Sequence, residues 1–234
     1  MEKLLNELVQ RLQEAYGGDL VSVVLYGSAA SGDQQGKFSD LNVICVLNQV
    51  GVAELRKGDK AMQWWIKQKQ PAPLMLSAEE VREAQDVFPI ESLDIHQSHR
   101  VLYGEEMFAR ISVERTSHRL QVEHELRSTL LRLRQRYLSA HSSDKDVVQL
   151  MAKSLATVAT LARHALILAG LDAPAKKREV LEATSQRFAL DPAPFRAVLG
   201  VREGTEKPAG EQVHSLFAAY LEQVRKLAQA VDRL

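Results

Sequence analysis

The chain has 234 residues, 45% of them apolar and 26% charged, a composition typical of one or two globular domains. Thirty basic residues balance thirty acidic ones, which argues against nucleic acid as the main partner because such binding needs an excess of Lys and Arg. A single cysteine excludes a disulfide within the chain. No stretch approaches the roughly 20 consecutive apolar residues of a membrane span, and no signal peptide is recognisable, so we expect a cytoplasmic protein.

The chain begins with one helical pattern and two strand patterns. Leucines at helical spacing predict an N-terminal helix that ends at Gly17 and Gly18. The runs LVSVVLYG (20–27) and LNVICVL (41–47) are short and rich in β-branched residues, so they predict buried strands. Cys45 lies in the second run and is therefore predicted to be a buried structural thiol.

Further elements are predicted before residue 104. Residues 53–70 have a helical pattern that is broken by two prolines, and the run PLMLS (73–77) then predicts a strand. Ser77 and Glu80 have the spacing of a capping box, which predicts that a short helix starts there. The alternating run SLDIHQS (92–98) predicts a fourth strand.

The pattern after Gly104 is helical, with no clear strand signal. Residues 114–138 and 144–170 have apolar stripes at helical spacing. The second of these helices is apolar on other faces too, which predicts the most buried helix of a bundle. A shorter helix at 175–189 and a last helix that includes Phe217 complete the chain.

The change of pattern divides the chain into two predicted domains. We place an α/β domain at residues 1–105 and an all-α bundle at residues 106–234, so the predicted fold class is α+β. Arginines are dense at the start of the bundle and are predicted to form an exposed helix face, with glutamates four residues away as partial partners. These arginines are Arg115, Arg119, Arg127, Arg132, Arg134 and Arg136.

A glycine-serine turn follows the first predicted strand, and an acidic motif opens the second. The turn is YGS (26–28), and the motif after the gap is DLNV (40–43). Because residues i and i+2 of a strand point to the same side, Asp40 and Asn42 share a face. The two segments together predict a polar site at one end of the sheet.

A P-loop is the first alternative for this turn. Gly27 and Gly32 have the glycine spacing of that motif. Asp33 and Gln34 follow, where the motif needs the Lys and Ser/Thr that reach the phosphates and the magnesium ion. The P-loop interpretation is therefore rejected.

The turn and the motif resemble those of the nucleotidyltransferase superfamily that includes DNA polymerase β. That family has Gly-Ser or Gly-Gly after a strand, then a gap of about a dozen residues, then Asp-apolar-Asp/Glu-apolar on the next strand. The resemblance covers roughly the first hundred residues, and the bundle is similar to those of small bacterial members. It implies a mixed sheet with flanking helices, followed by a helical bundle.

The resemblance also implies roles for the motif residues. Gly27 and Ser28 would bind the phosphates of a nucleoside triphosphate, while Asp40 and the residue at position 42 would hold Mg²⁺ or Mn²⁺. The family has a third carboxylate on a neighbouring strand, which binds metal or takes the proton of the acceptor hydroxyl. Asp94 in the predicted strand 92–98 is the candidate, and Glu91 is the alternative if the strand register differs.

Asn42 departs from the family pattern, since a second carboxylate is expected there. Its amide oxygen can coordinate a hard cation but brings no formal charge. Three interpretations remain open. The enzyme works with one tightly bound metal, or Glu91 or Asp33 supplies the charge that Asn42 lacks. In the third interpretation the site does not turn over a nucleotide, whether or not it binds one.

The resemblance leads to two functional hypotheses. The first is an enzyme that transfers a nucleoside monophosphate from a nucleoside triphosphate to a hydroxyl of a small molecule or protein, with activity either retained or impaired by Asn42. The second is a non-catalytic module of the same fold that binds a nucleotide or a protein, with the helical bundle as a homodimer or partner surface. A nucleic-acid-modifying enzyme is a third idea, which the balanced charge disfavours.

Overall fold

The computed structural model describes residues 1–30, 41–83, 87–109 and 111–234. The chain divides into a sheet unit, Met1–Glu114, and a helical unit, Arg115–Leu234. The helical unit starts with the first residue of a long helix, whereas we placed the domain boundary at 105/106. Asp33 and Asp40 lie outside the described residues.

The sheet unit contains four strands in the spatial order β3-β2-β1-β4. Strand β1 is antiparallel to both β2 and β4, and β2 is parallel to β3. The strands are β1 (Leu20–Tyr26), β2 (Asn42–Leu47), β3 (Leu74–Ser77) and β4 (His99–Gly104). The described helices are α1 (Glu2–Tyr16), α2 (Val52–Lys57), α3 (Asp59–Lys67), α4 (Ala78–Glu83) and α5 (Pro89–Gln97).

Helices cover both faces of the sheet. One face packs against α1 and α3, where the leucines of α1 and the fully buried Trp65 meet Val23 and Cys45. The other face packs against α4 and α5, where Ile95 meets Val24 and the remaining apolar side chains of β2. Burial on both faces explains why β1 and β2 read as continuous apolar runs.

Most sequence predictions for this unit are confirmed. Helix α1 and strands β1, β2 and β3 occupy the predicted segments. The capping box forms as expected: the Glu80 carboxylate accepts from the Ser77 amide at 2.7 Å, and the Ser77 hydroxyl accepts from the Glu80 amide at 3.1 Å. The predicted helix at 53–70 is divided at Gly58, where the Tyr16 hydroxyl occupies the space that a Cβ would need.

The predicted strand at 92–98 is wrong. These residues belong to helix α5, which has Pro89 in its first turn, a position that the fixed φ of proline favours. The last strand, β4, begins only at His99, and the sequence analysis did not assign it. Ser92 and His96 therefore do not share a face with Asp94, because residues two apart on a helix point in different directions.

The helical unit packs around α7. Its helices are α6 (Arg115–Ala140), α7 (Asp144–Leu168), α8 (Lys177–Phe188), α9 (Ala193–Glu203) and α10 (Glu211–Asp232). Twelve residues of α7 are buried, against eight of α10, which confirms the prediction that α7 is the most buried helix. Helix α9 was not predicted. Within the described ranges, no helix is long and apolar enough to cross a membrane.

Candidate functional site

The turn after β1 begins with a backbone conformation that favours glycine. Gly27 has φ of +76°, a conformation that side chains with a Cβ rarely adopt, and it starts a 3₁₀ turn that ends at Ala29. The Ala30 amide donates to the Gly27 carbonyl at 2.9 Å. The Gly27 amide donates to the Ser98 carbonyl at 3.0 Å. The turn is therefore fixed by its own backbone and by the end of α5.

Asn42 lies beside this turn. It is the first residue of β2 and pairs with Tyr26, the last residue of β1. A Cβ at position 27 would lie 3.5 Å from Nδ2, the side-chain amide nitrogen of Asn42. Strand alternation places Asn42 on the same face as Ile44, which is the face that α5 covers. The structure therefore brings Gly27, Asn42 and the end of α5 together.

The backbone just before Asn42 is held by a side chain from another segment. The Gln70 side-chain oxygen accepts a hydrogen bond from the Leu41 amide at 2.9 Å. The segment containing Gln70 is fixed in turn, because the Trp65 indole donates to the Pro71 carbonyl at 2.7 Å. No local sequence pattern indicates this contact, which joins residues 29 positions apart. The location of Asp40 beside Asn42 remains a prediction, because Asp40 lies outside the described residues.

The third predicted carboxylate lies on a helix and not on a strand. Asp94 is in the last turn of α5, where its carbonyl accepts from the Ser98 amide at 3.1 Å. Ser98 in turn contacts Gly27, so the Asp94 backbone lies about one helical turn from the candidate site. The alternative, Glu91, is in the first turn of the same helix and is exposed. A metal-binding or base role for Asp94 stays a prediction.

The strand next to Asn42 supplies no acidic side chain. Ile44 of β2 pairs with Leu74 of β3, and the strands are parallel. Continued back by two residues, this register places Ala72 level with Asn42. The segment 69–78 contains no Asp or Glu. A carboxylate on the neighbouring strand, as the family resemblance implies, is therefore not available here.

A histidine and a glutamate interact on the other side of Tyr26. His99 of β4 pairs with Tyr26, and its Nε2 lies 3.0 Å from the Glu106 carboxylate. Its Nδ1 lies 2.9 Å from the Ile95 carbonyl. Burial works against ionisation of Glu106, but hydrogen bonds from the Phe108 amide and His99 outweigh it and lower the pKa of Glu106. This pair, which sequence reasoning missed, joins the start of β4 to the segment that follows β4, while the Ile95 contact joins His99 to the end of α5.

The described residues at this end of the sheet do not by themselves supply the carboxylates that a pair of divalent cations needs. Asn42 offers a neutral amide oxygen, and 69–78 offers no carboxylate. Two Mg²⁺ ions need several carboxylate ligands to offset their charge. Among the described residues, no group of three His, Cys, Asp or Glu side chains could hold a metal ion.

The comparisons with known proteins agree with the architecture. No family model matches the chain, and no curated protein matches its sequence. One solved structure that it resembles is spectinomycin adenyltransferase AAD(9) from Enterococcus faecialis with ATP and spectinomycin. The TM-score is 0.59 at 12% sequence identity, and the match covers 99% of each chain. The chain therefore has the DNA polymerase β-like nucleotidyltransferase fold that its Gly-Ser turn and acidic motif predicted.

Proposed function

We propose that this chain is a nucleotide-binding protein of the nucleotidyltransferase fold in which nucleotidyl transfer is strongly impaired. The observation that carries the proposal is the neutral side chain at position 42. The neutral amide of Asn42 stands where the family has a second carboxylate, and the neighbouring segment 69–78 has none. Catalysis of this type needs metal ions that neutralise the charge developing on the phosphates.

The same site retains features suited to binding a nucleotide. The positive φ of Gly27 and the absence of a side chain there let phosphate oxygens approach the backbone amides. We assign Gly27 and Ser28 to the phosphates and Asp40 to one Mg²⁺ or Mn²⁺ that arrives with the triphosphate. Asn42 would add a neutral oxygen ligand, and Asp94 would approach from the end of α5.

A second candidate is an active enzyme that transfers a nucleoside monophosphate to a hydroxyl of a small molecule or protein. The observation that favours it is the likeness to AAD(9), an adenyltransferase solved with ATP and spectinomycin, which covers 99% of both chains. In this candidate Asp94 acts as metal ligand or base from α5. Fold alone does not decide between the two candidates, because one fold supports many functions.

Thermal-shift measurements with each of the four nucleoside triphosphates, with and without Mg²⁺ or Mn²⁺, test the proposal. We expect metal-dependent stabilisation by at least one nucleotide, followed by no enzymatic release of pyrophosphate when hydroxyl compounds such as aminoglycosides or serine-containing peptides are added. Sustained pyrophosphate release would establish the second candidate instead. If no nucleotide stabilises the protein, both candidates fail.

Restoring the carboxylate at position 42 gives a sharper test. Asn42→Asp adds one negative charge beside Gly27, so the affinity for the Mg²⁺–nucleotide complex should rise about tenfold in calorimetric titration. Asn48→Asp is the matched control, because Asn48 is exposed just beyond the other end of β2 and should leave the affinity unchanged. An unchanged affinity in a folded Asn42→Asp variant would show that the metal-bound nucleotide lies elsewhere.

A further inference from the structure

The outward side of α6 carries a row of exposed leucines. Leu120, Leu131 and Leu138 are 52%, 62% and 74% exposed. At about 100° per residue these three side chains project within about 20° of one another around the helix axis. The distance along the helix axis from Leu120 to Leu138 is about 27 Å, at a rise of 1.5 Å per residue. The leucines therefore lie along one line on the helix, with about 16 Å between the first two and about 10 Å between the last two.

Basic side chains fill the gaps between the leucines. His124, Arg127 and Arg134 project in nearly the same direction and are all exposed. We call these three residues together with the three leucines the α6 ridge. It contains no acidic residue.

The charge of the ridge is only partly balanced within the chain. Arg127 contacts Glu123 at 2.7 Å and Asp232 at 3.3 Å. His124 lies 3.5 Å from Glu125. Within the described part of the chain, Arg134 has no acidic partner. The ridge therefore presents leucines and basic side chains in alternation, and Arg134 carries its least balanced charge.

The ridge is not part of the core of the helical unit. Helix α6 packs through a different side, which carries the buried residues Val122, Leu126, Leu130 and Leu133. Those residues account for the stability that α6 contributes to the bundle. The leucines of the ridge gain nothing from folding while they face water, because apolar burial is what stabilises them.

We propose that the α6 ridge binds an acidic amphipathic helix of a partner protein. A leucine row about 27 Å long matches the apolar stripe of a helix of five turns. Asp or Glu side chains beside that stripe would pair with Arg134 and Arg127. This surface is independent of the nucleotide site, so the proposal does not rest on the proposed function.

The charge and the width of the α6 ridge disfavour two other binding partners, a second copy of the chain and a membrane surface. In an antiparallel pairing of two copies that sets Leu120 against Leu138, Arg127 of one copy faces Leu131 of the other, so the arginines of the ridge meet no acidic side chain of the partner ridge. A membrane surface favours a broad apolar face, whereas this ridge is one leucine wide. An acidic amphipathic helix would bury the leucines and pair with the arginines.

Two synthetic helical peptides provide the probe. Both are about 21 residues long with leucines at the spacing of the ridge, and they differ only in having glutamate or lysine between the leucines. Titrated with the full chain in fluorescence anisotropy, the glutamate peptide should bind and the lysine peptide should not. Leu131→Asp should weaken binding about tenfold or more, and Arg134→Glu should shift the preference towards the lysine peptide.

The control is Leu171→Asp, because Leu171 is also exposed but follows α7 and is not part of α6. It should bind the glutamate peptide as the wild type does, and circular dichroism should show that all variants are folded. Equal binding of both peptides, or of neither, would overturn the proposal. So would light scattering that shows a dimer dissociated by Leu131→Asp, or sedimentation of the protein with phosphatidylserine vesicles.

Discussion

The described part of the helical unit packs through the side chains of its helices, whereas the sheet unit also places a side-chain-free position directly against strand backbone. Helix α7 is buried along most of its length, and Leu155 and Val158 are fully inaccessible. At the end of β4, Gly104 lies against the backbone of Val21 and Ser22 in β1. Removal of side-chain volume from α7 and addition of volume at Gly104 therefore test the two kinds of packing separately.

The two units can also be followed separately in one experiment. Both tryptophans of the chain, Trp64 and Trp65, lie on α3 in the sheet unit. Tryptophan emission therefore reports on the sheet unit. Far-ultraviolet circular dichroism is dominated by helical residues, most of which belong to the longer helices of the helical unit.

Leu155→Ala should produce the largest loss of stability. The side chain is fully buried in α7, so its truncation removes apolar contacts and leaves a cavity, at a cost of about 3–4 kcal/mol. Urea unfolding followed by circular dichroism measures it. Lys153→Ala on the exposed side of the same helix is the control and should change stability by less than about 0.5 kcal/mol. A loss below about 1 kcal/mol for Leu155→Ala would contradict the central position of α7.

Gly104→Ala should be the next most damaging substitution, at about 3 kcal/mol. Gly104 has φ of +79°, and an added Cβ would overlap the Val21 carbonyl. Gly204 has almost the same φ, +77°, but nothing lies within 4 Å of its Cβ position. Gly204→Ala should therefore cost only the conformational strain, about 1 kcal/mol.

Tryptophan emission and circular dichroism during urea unfolding distinguish the two glycine variants. Gly104→Ala should lower the urea midpoint seen by tryptophan emission, because the overlap lies between β1 and β4. If Gly104→Ala and Gly204→Ala lose the same free energy of unfolding, β1 and β4 separate easily enough to accept a methyl group. The close approach of these strands would then not be a constraint on the sheet.

The contrast between the units also explains what the sequence could predict. Strands β1 and β2 are buried on both faces and so appear as unbroken apolar runs, and α7 appears as a helix without a polar face. Strand β4 is an edge strand with half-buried side chains and no such run. The alternation at 92–98 was misleading, because the helix start at Pro89 decides the conformation of that segment.

The candidate site was predictable only in part, for a related reason. Gly27 and Asn42 are adjacent to strands, so local pattern located them. The contacts that hold them come from segments distant in sequence: Gln70 reaches Leu41, and Ser98 reaches Gly27. No local pattern encodes such pairs, because each depends on how the chain returns to the same end of the sheet.

The smallest predicted effect concerns Cys45, in the sheet core. Burial raises the pKa of the Cys45 thiol to about 12 from an ordinary value of 9.0. The unfolded chain therefore loses this proton at lower pH than the folded chain. The stabilising contribution of the protonated thiol is complete below about pH 9 and is lost as the pH rises towards 12.

Between pH 8 and pH 10 this loss should amount to about 1 kcal/mol. Urea unfolding followed by tryptophan emission should show it in the wild type and not in Cys45→Val, which keeps an apolar side chain of similar size. Burial also raises the pKa of Tyr220 in the helical unit, but a tyrosine starts from an ordinary value of 10.0. Its contribution is therefore lost only at higher pH, so mild alkali should weaken the sheet unit first. Equal pH dependence in wild type and Cys45→Val would show that the thiol does not cause the difference.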